Sequence, residues 1–528
     1  MNWFGFVLLW AGVSSASAQF VIPYYAEDGV DAAAYGRGIA QGAVFVVPAY
    51  APFPDSVVVS GLPLKTVLDG VSLRLTAAGG GPSVRPWILH VGSGQVAAVL
   101  PSDTPPGDYA LSLIVDDATI NTFSGHTTRV VRRKYRSLTN NQEGSALAVA
   151  QTQGGGGSLD RNMFATGTIN GQTRAPARAG QAAILWGLGL GPIPGPDNTA
   201  PGLVDMRNQV DVRVSVGGVP AVVTYAGRAP QSPGIDQIHF TIPPDAPTGC
   251  AVLVEVTVDA EASNPVTMAI ASPGADTCEH PFLSRQQLDA LDQGEKLVSG
   301  EFQLTVSVEP MGEAIDAEMV EIHGAWGYID YMTASVASRP DLRSIAPGRC
   351  VAFRSILVTA LPYIWSSADA GTVRVSGPGL PGVPLDGDDD YYFQVFSASL
   401  ESGQLVAGTE GHRLEPGMHT LRADGGQDVA AFEASLDMPP LLKWTNRDGI
   451  TEVRRNSGVS LEWTGGGPRD TVVAFGAAEA EDDVTMFLCA VPKGAKSFTV
   501  PPSILRFVPL LAGQSIGVLG LAGYSGEG

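Results

Sequence analysis

The chain has 528 residues, of which 44% are hydrophobic and 16% are charged, so it has enough apolar material for packed cores in roughly three to five domains. Its formal net charge of −21 disfavours binding to the phosphate backbone of a nucleic acid. The 64 glycines and 39 prolines are typical of many short strands joined by tight turns. We therefore expect an all-β protein with no nucleic-acid partner.

The N-terminus has the pattern of a secretory signal peptide, although its first residues contain no Lys or Arg. An apolar run from Trp3 to Val13 precedes the small residues Ala16, Ser17 and Ala18. We predict cleavage after residue 18 and a mature chain that is secreted, periplasmic or at the cell surface. The apolar run is too short for a permanent membrane-spanning helix, and no other stretch reaches the required length, so we expect no membrane span in the mature chain.

Two stretches of equal length share the same pattern of turn residues. Residues 95–107 read QVAAVLPSDTPPG and residues 237–249 read QIHFTIPPDAPTG. Each begins as a strand and then reaches prolines, which cannot continue a hydrogen-bonded ladder because they lack an N–H. We predict that this repeated phrase is the corner of a β-sandwich, present once in a first module (19–137) and once in a second module (161–274). The second copy is longer, and we assign its additional residues to a turn-rich insertion at 192–208.

A set of motif positions in the second module supports a family resemblance. These positions are a Gly-Gly pair followed by Ala and Tyr-Ala-Gly, then a Gln, and then a Pro-x-Gly turn: Gly217, Gly218, Ala221, Tyr225, Ala226, Gly227, Gln237, Pro243, Pro247 and Gly249. The module resembles the IPT/TIG-like immunoglobulin-fold modules of a large, uncharacterised family of secreted soil-bacterial proteins. The first module matches weakly and lacks the Tyr-Ala-Gly element, whereas residues 416–466 again resemble C-terminal regions of the same family. The resemblance implies tandem immunoglobulin-like β-sandwiches and supplies no catalytic residue.

Four cysteines are available for disulfides in an exported chain. They allow three pairings, and locality favours Cys250 with Cys278 and Cys350 with Cys489. The alternative is four buried thiols. The family resemblance also implies the first of these bridges, since family members tend to carry one Cys after the Pro-x-Gly turn and another just past the module.

The remaining chain divides by composition. Residues 138–160, which end in QTQGGGGSLD from residue 151, are predicted to be a Gly-rich linker. Residues 275–296 are predicted to be a helical connector, because Ser284 and Gln287 have the spacing of a capping box and Leu288 and Leu291 share a helix face. Alternating apolar residues then predict a β domain at 297–440 and a small C-terminal β-sandwich at 441–528.

The best candidate binding surface is HGAWGYIDYM, residues 323–332. In a strand, Trp326, Tyr328 and Asp330 would share one face, where two aromatic rings and a carboxylate could stack on sugar rings and bond their hydroxyls. The alternative is that both aromatic residues point into a hydrophobic core.

An acidic stretch is the candidate metal site. In LDGDDDYY (385–392), Asp386, Asp388 and Asp390 bring oxygen ligands of the kind that Ca²⁺ requires onto one loop, although their order does not fit an EF-hand. The alternative is an acidic hairpin turn. GPGLPG (377–382) formally matches a dinucleotide-binding motif, but its prolines and the lack of a following helix predict a hairpin loop.

These observations favour an exported, non-catalytic, multidomain β-sandwich protein that binds or displays outside the cytoplasm. No nucleophile elbow, P-loop or zinc-binding spacing was found, so we predict no enzyme activity, no catalytic residues and no cofactor other than Ca²⁺. The alternatives are a polysaccharide-binding accessory protein or a cryptic glycoside hydrolase within 297–440, and a structural stalk. The partners considered are a polysaccharide and a cell-surface or extracellular protein.

Overall fold

The structure, a computed structural model, describes residues 25–524 with internal gaps. The gaps are residues 27–29, 34–36, 51–55, 82, 93, 117, 122–126, 140–149, 155–157, 281–282, 312–314, 330–344, 357–365, 368, 389–390, 402–403, 408–413, 469, 481–482 and 510–516. The predicted signal peptide of residues 1–18 lies outside the described residues. Within them the predicted all-β class is confirmed, since the strands contain far more residues than the helices.

The first module is a sandwich of two sheets around one core. One sheet has the order β1-β4-β10-β9-β5, with β2 paired to β4. The other has the order β3-β13-β11-β7-β6, with β8 paired to β7 and β12 paired to β11. The shared core contains Phe45, Val96, Leu73 and Leu111. The strands are β1 (Tyr25–Ala26), β2 (Val30–Asp31), β3 (Ile39–Ala40), β4 (Val44–Tyr50), β5 (Val57–Val58), β6 (Val67–Leu68), β7 (Val71–Ala77), β8 (Ser83–Val84), β9 (Trp87–Gly92), β10 (Gln95–Val99), β11 (Gly107–Val115), β12 (Ala118–Asn121) and β13 (Thr128–Val131).

The second module is a sandwich in which one strand serves both sheets. The first three residues of β22 pair with β21, and the remainder pairs with β23 beyond a bulge at Val223–Tyr225. The strands are β14 (Arg136–Ser137), β15 (Ala150–Gln153), β16 (Leu159–Asn162), β17 (Gly167–Ile169), β18 (Gln172–Ala175), β19 (Ala182–Leu188), β20 (Val204–Asp205), β21 (Val212–Val216), β22 (Val219–Arg228), β23 (Asp236–Thr241), β24 (Gly249–Val258), β25 (Glu261–Ala262) and β26 (Val266–Ile270). Strands β15 and the start of β16 fall in the predicted linker, and β15 pairs with β19, so this part of the linker belongs to the sheet.

The repeated phrase forms a sandwich corner in both modules, as predicted. It connects β10 to β11 in the first module and β23 to β24 in the second, and in each case the two strands hydrogen-bond to different partners in facing sheets. The final glycine of each copy, Gly107 and Gly249, has a φ of 150° and 153°, in a region that side-chain-bearing residues rarely adopt. The shared Gly at the end of the two copies therefore has a conformational cause, because both positions need this backbone conformation.

The predicted helical connector is confirmed as α1 (Arg285–Asp292). Its capping box is complete, because the Ser284 side chain accepts from the Gln287 N–H and the Gln287 side chain accepts from the Ser284 N–H. Leu288 and Leu291 are buried against Phe164 and the Cys250–Cys278 bridge. The helix is thus packed on the second module.

The middle of the chain forms a six-stranded and a four-stranded sheet. Their orders are β27-β28-β34-β33, with β30 on β28 and β35 on β34, and β32-β31-β36-β37. The strands are β27 (Leu297–Met311), β28 (Ile315–Ile329), β30 (Ser366–Ser367), β31 (Val373–Gly377), β32 (Leu380–Pro384), β33 (Asp386–Asp388), β34 (Tyr391–Glu401), β35 (Gln404–Ala407), β36 (Gly417–Ala423) and β37 (Phe432–Met438), with β29 (Cys350–Ile356) between β28 and β30 in the chain. GPGLPG connects β31 to β32, with Gly377 opposite Leu380, which confirms the predicted hairpin.

Strand β29 pairs outside the middle sheets. It joins the C-terminal unit through β41, with Cys350 directly opposite Cys489, so the predicted domain of residues 297–440 is interrupted at this strand. The C-terminal unit packs the sheet β29-β41-β40-β43 on the sheet β38-β39-β42 around Leu461 and Phe487. Its other elements are β38 (Lys443–Trp444), a 3₁₀ helix (Arg447–Gly449), β39 (Val459–Thr464), β40 (Thr471–Ala480), β41 (Asp483–Ala490), β42 (Ser497–Val500), α2 (Pro502–Leu505) and β43 (Gly517–Tyr524).

Both predicted disulfides are confirmed. Cys250 is bonded to Cys278 and Cys350 to Cys489. The second bridge connects β29 to β41 and so closes a loop that contains most of the middle sheets. Bridges of this kind are typical of proteins that fold in oxidising compartments. Within the described ranges, no helix is long and apolar enough to cross a membrane.

Candidate functional site

The candidate aromatic residues lie on a paired strand of the middle six-stranded sheet. Trp326 and Tyr328 belong to β28, opposite Gly300 and Val298 of β27, and Tyr328 also pairs with Ser366 of β30. Residues 323–329 thus lie in a strand, which is the condition under which Trp326 and Tyr328 share one face. Asp330, the third predicted site residue, lies outside the described residues.

The register of this hairpin gives the sheet one apolar face. Directly opposite residues share a face of a sheet, and the pairs along the hairpin include Leu304 with Ile322 and Val306 with Val320. Trp326 is an even number of residues from both Val320 and Ile322, so it shares their face. The register adds what the sequence could not give, namely which residues of β27 stand opposite Trp326 and Tyr328.

The side chains of Leu297 and Val298 at the base of the hairpin differ in their surroundings. Val298, opposite Tyr328, is 46% exposed, whereas its neighbour Leu297, on the other face, packs against the cluster of α1 and the Cys250–Cys278 bridge. The hairpin is thus anchored to the second module through Leu297 at its base, whereas the side chain of Val298 is exposed.

The candidate calcium residues lie at a strand pair. Asp386 and Asp388 belong to β33, opposite Phe393 and Tyr391 of β34, which agrees with the hairpin interpretation of the backbone. Asp390 lies outside the described residues. No group of three or more metal-ligating side chains was found in the described part of the chain, and the calcium site stays a prediction.

The Tyr-Ala-Gly element has a structural role that could not be predicted from the sequence. The Tyr225 hydroxyl donates to the Arg228 carbonyl at 2.6 Å and lies 3.1 Å from the Val204 carbonyl. A Cβ on Gly227 would come within 1.8 Å of the same Val204 oxygen. The motif therefore fixes β20, the last part of the predicted insertion, against β22.

The insertion binds the first module at the repeated phrase. Asp197 accepts from the backbone N–H of Ser102 at 2.6 Å and from its hydroxyl at 2.7 Å. The Ser102 hydroxyl also accepts from the N–H of Ile193, and the Leu64 N–H donates to the Asn198 carbonyl at 2.7 Å. These contacts join residues about 90 to 135 positions apart and fix the two modules to each other.

Replacing Asp197 by alanine should loosen this joint by about 2–3 kcal/mol, because two charge-assisted hydrogen bonds are lost and the Ser102 N–H is left without its acceptor. The amide of Ser102 should then exchange with deuterium faster than in the unmodified chain. Asp205→Ala is the matched control, since this exposed carboxylate lies in the same insertion but pairs with Arg207 of the second module. Equal exchange in the two variants would contradict the assigned role of Asp197.

Buried ion pairs also stabilise the second module and its helix. Arg228 lies 2.9 Å from Asp236, and both side chains are almost fully buried beside the loop at Leu190, whose N–H donates to Asp236. Arg174 donates to Asp292 of α1 at 2.5 Å, and both side chains have no exposed surface. Burial raises the pKa of Asp292 to about 6, against the opposing effect of its backbone hydrogen bonds and Arg174, and this value still leaves the carboxyl group mostly ionised at neutral pH.

Sequence reasoning missed these charged residues because each stands alone in a polar position of its element. The sequence offered one hint of a buried charge. Asp236 immediately precedes the second copy of the repeated phrase, and the first copy has Gly94 at the same position. All of these charged side chains bond to other parts of the same chain. They stabilise the second module and hold it to α1 and to the first module.

A comparison with known protein families found none that matches this chain, and a comparison with curated proteins found no match.

Proposed function

We propose that this chain is an exported, non-catalytic, multidomain β-sandwich protein that binds or displays outside the cytoplasm, and that the hairpin β27–β28 carries its binding surface. The observation that carries the proposal is the shared face of Trp326, Tyr328 and the exposed Val298. Aromatic residues on an open sheet face can stack against a ligand at little conformational cost. The Asp197, Asp292 and disulfide contacts support a scaffold that holds this surface in a fixed position.

Export is supported by two features. The pattern of residues 1–18 is that of a signal peptide, and both cysteine pairs are bonded. The resemblance of the second module to IPT/TIG-like modules of secreted proteins agrees with the same proposal.

A polysaccharide is the ligand class that the aromatic residues favour. Two aromatic residues separated by two positions along a strand are about 7 Å apart, a distance over which successive rings of a sugar chain can stack. A cell-surface protein is the second candidate partner, and a cryptic glycoside hydrolase within 297–440 or a structural stalk are the remaining alternatives.

The mature chain, residues 19–528, should sediment with at least one of cellulose, chitin, xylan and peptidoglycan. The double variant Trp326→Ala/Tyr328→Ala should weaken that binding at least about tenfold, because two stacking contacts are lost. Met319→Ala is the matched control, since Met319 lies on the opposite face of the same strand.

The same samples separate the alternatives. Release of reducing ends from a polysaccharide would contradict the non-catalytic assignment. Failure to sediment with any of the four polymers would contradict the polysaccharide ligand and leave a protein partner or a stalk. Equal binding by the aromatic variant and the unmodified chain would move the site away from β28.

A further inference from the structure

The joint between the second module and the C-terminal unit is mostly apolar. Alternate residues of β24 point into the module core. Leu253 and Glu255, which lie between them in the sequence, contact the C-terminal unit. Leu253 packs there against Ile345, Val351 and Phe353. Two backbone hydrogen bonds cross the joint, from the Ala346 N–H to the Gly217 carbonyl and from the Arg354 N–H to the Ser263 carbonyl, each at 2.8 Å.

Glu255 brings a partly buried carboxyl group into this joint. Glu255 is on the same face of β24 as Leu253 and is partly buried. Its carboxylate accepts from the Ser215 hydroxyl at 3.2 Å and from the backbone N–H of Ala352 on β29. The second bond crosses the joint, so the state of this carboxyl group affects contact between the two units.

The charged groups around Glu255 are directed elsewhere. On β21, Arg213 pairs with Asp211 at 2.7 Å. On β29, Arg354 lies 3.5 Å from Glu261 of β25, and Arg349 at the start of this segment is exposed. Within the described part of the chain, the ionised carboxylate of Glu255 therefore has two neutral hydrogen-bond donors and no ion-pair partner.

We propose that Glu255 makes this joint sensitive to pH, so that the second module and the C-terminal unit are held together in mild acid and separate more readily above neutrality. An unpaired carboxylate is costly in an apolar interface, and protonation removes that cost. When the joint opens, the carboxyl group regains water and ionises freely. This inference is independent of the ligand that the β27–β28 hairpin binds.

The direction of the pH dependence follows from the protonation equilibrium. Burial raises the pKa of Glu255 to about 7, against the opposing effect of the hydrogen bonds from Ala352 and Ser215. An exposed glutamate has a pKa of about 4.3, so between these two values the closed joint binds more protons than the open joint. The closed state is therefore favoured fully below about pH 4.3 and loses this advantage as pH rises to about 7.

Hydrogen exchange of the full chain between pH 5 and pH 8 tests the proposal. Protection factors, which are corrected for the intrinsic effect of pH on exchange, should fall at least about tenfold across that range for Ala346, Ala352 and Arg354, whose N–H groups donate across the joint. In Glu255→Gln the protection factors at pH 8 should match those of the unmodified chain at pH 5. Glu261→Gln is the matched control at the same joint and should keep the original pH dependence.

A second variant gives an independent result if Glu255→Gln folds poorly. Ser215→Ala removes a hydrogen bond that favours the ionised form, so the midpoint of the pH transition should move to higher pH. Constant protection of the unmodified chain from pH 5 to pH 8 would overturn the proposal. An unchanged midpoint in Ser215→Ala, or an unchanged pH dependence in Glu255→Gln, would do the same.

Discussion

Replacing Asp292 by alanine is expected to destabilise the second module and its helix by about 3–5 kcal/mol. The variant leaves Arg174, which has no exposed side-chain surface, without the carboxylate that lies 2.5 Å from it. It also removes the acceptor of the Ala165 N–H at 2.8 Å and the Phe164 N–H at 3.2 Å. The loss of the fully buried partner of Arg174, whose other carboxylate partner Asp289 is half exposed, together with two lost backbone hydrogen bonds, accounts for an effect of this size.

Asp289→Ala provides the matched control on the same helix. Asp289 bonds to the same arginine at 2.7 Å, but its side chain is 51% exposed, so its loss should cost less than about 1 kcal/mol. The free energies of unfolding of the two variants, measured by chemical denaturation and followed through the exchange of residues 164–175, should therefore differ clearly. Similar losses in both would show that burial does not set the strength of this ion pair.

Removing the Cys350–Cys489 bridge should have the second large effect. The bonded residues are 139 positions apart, and closing a loop of that length lowers the entropy of the unfolded chain by an equivalent of about 5 kcal/mol at 25 °C. The Cys250–Cys278 bridge spans 28 positions and should contribute about 3.5 kcal/mol by the same reasoning. The two loops do not overlap, so the contributions should be separable.

Two double variants test this difference. Cys350→Ala/Cys489→Ala should lower the thermal midpoint of the C-terminal unit more than Cys250→Ala/Cys278→Ala lowers that of the second module. Addition of a reducing agent to the unmodified chain should reproduce both losses. Four free thiols in the non-reduced, folded protein would contradict both bridges.

The sequence predicted the local features of the fold well. The prolines in the repeated phrase end a strand for a reason that is local to the residue, since proline has no N–H, and both copies turn a corner where the prediction placed one. The capping box of α1 depends on residues only three positions apart, and it is complete. Alternation along the strands likewise predicted which residues share a face.

The candidate site was predicted only in part. The sequence placed Trp326 and Tyr328 on one face on the condition that they lie in a strand, and the structure shows that strand as far as Ile329. Only the register with β27 identifies the residues opposite them. Glu255 was missed because it resembles any polar residue in an alternating strand. Only the packing of β29 on that face turns an ordinary surface position into a partly buried one.

Residue patterns alone were enough to predict the all-β class, the sandwich corners and the connecting helix, whereas for the cysteines they only favoured, through locality, the pairing that the structure shows. Only the tertiary structure shows which units contact each other and through which residues. Ser102 meets Asp197 and Arg174 meets Asp292 across 95 and 118 positions, and β29 leaves the middle sheets for the C-terminal unit. Alternation and turn residues act over a few positions, whereas these contacts depend on how completed sheets pack, which no local pattern encodes.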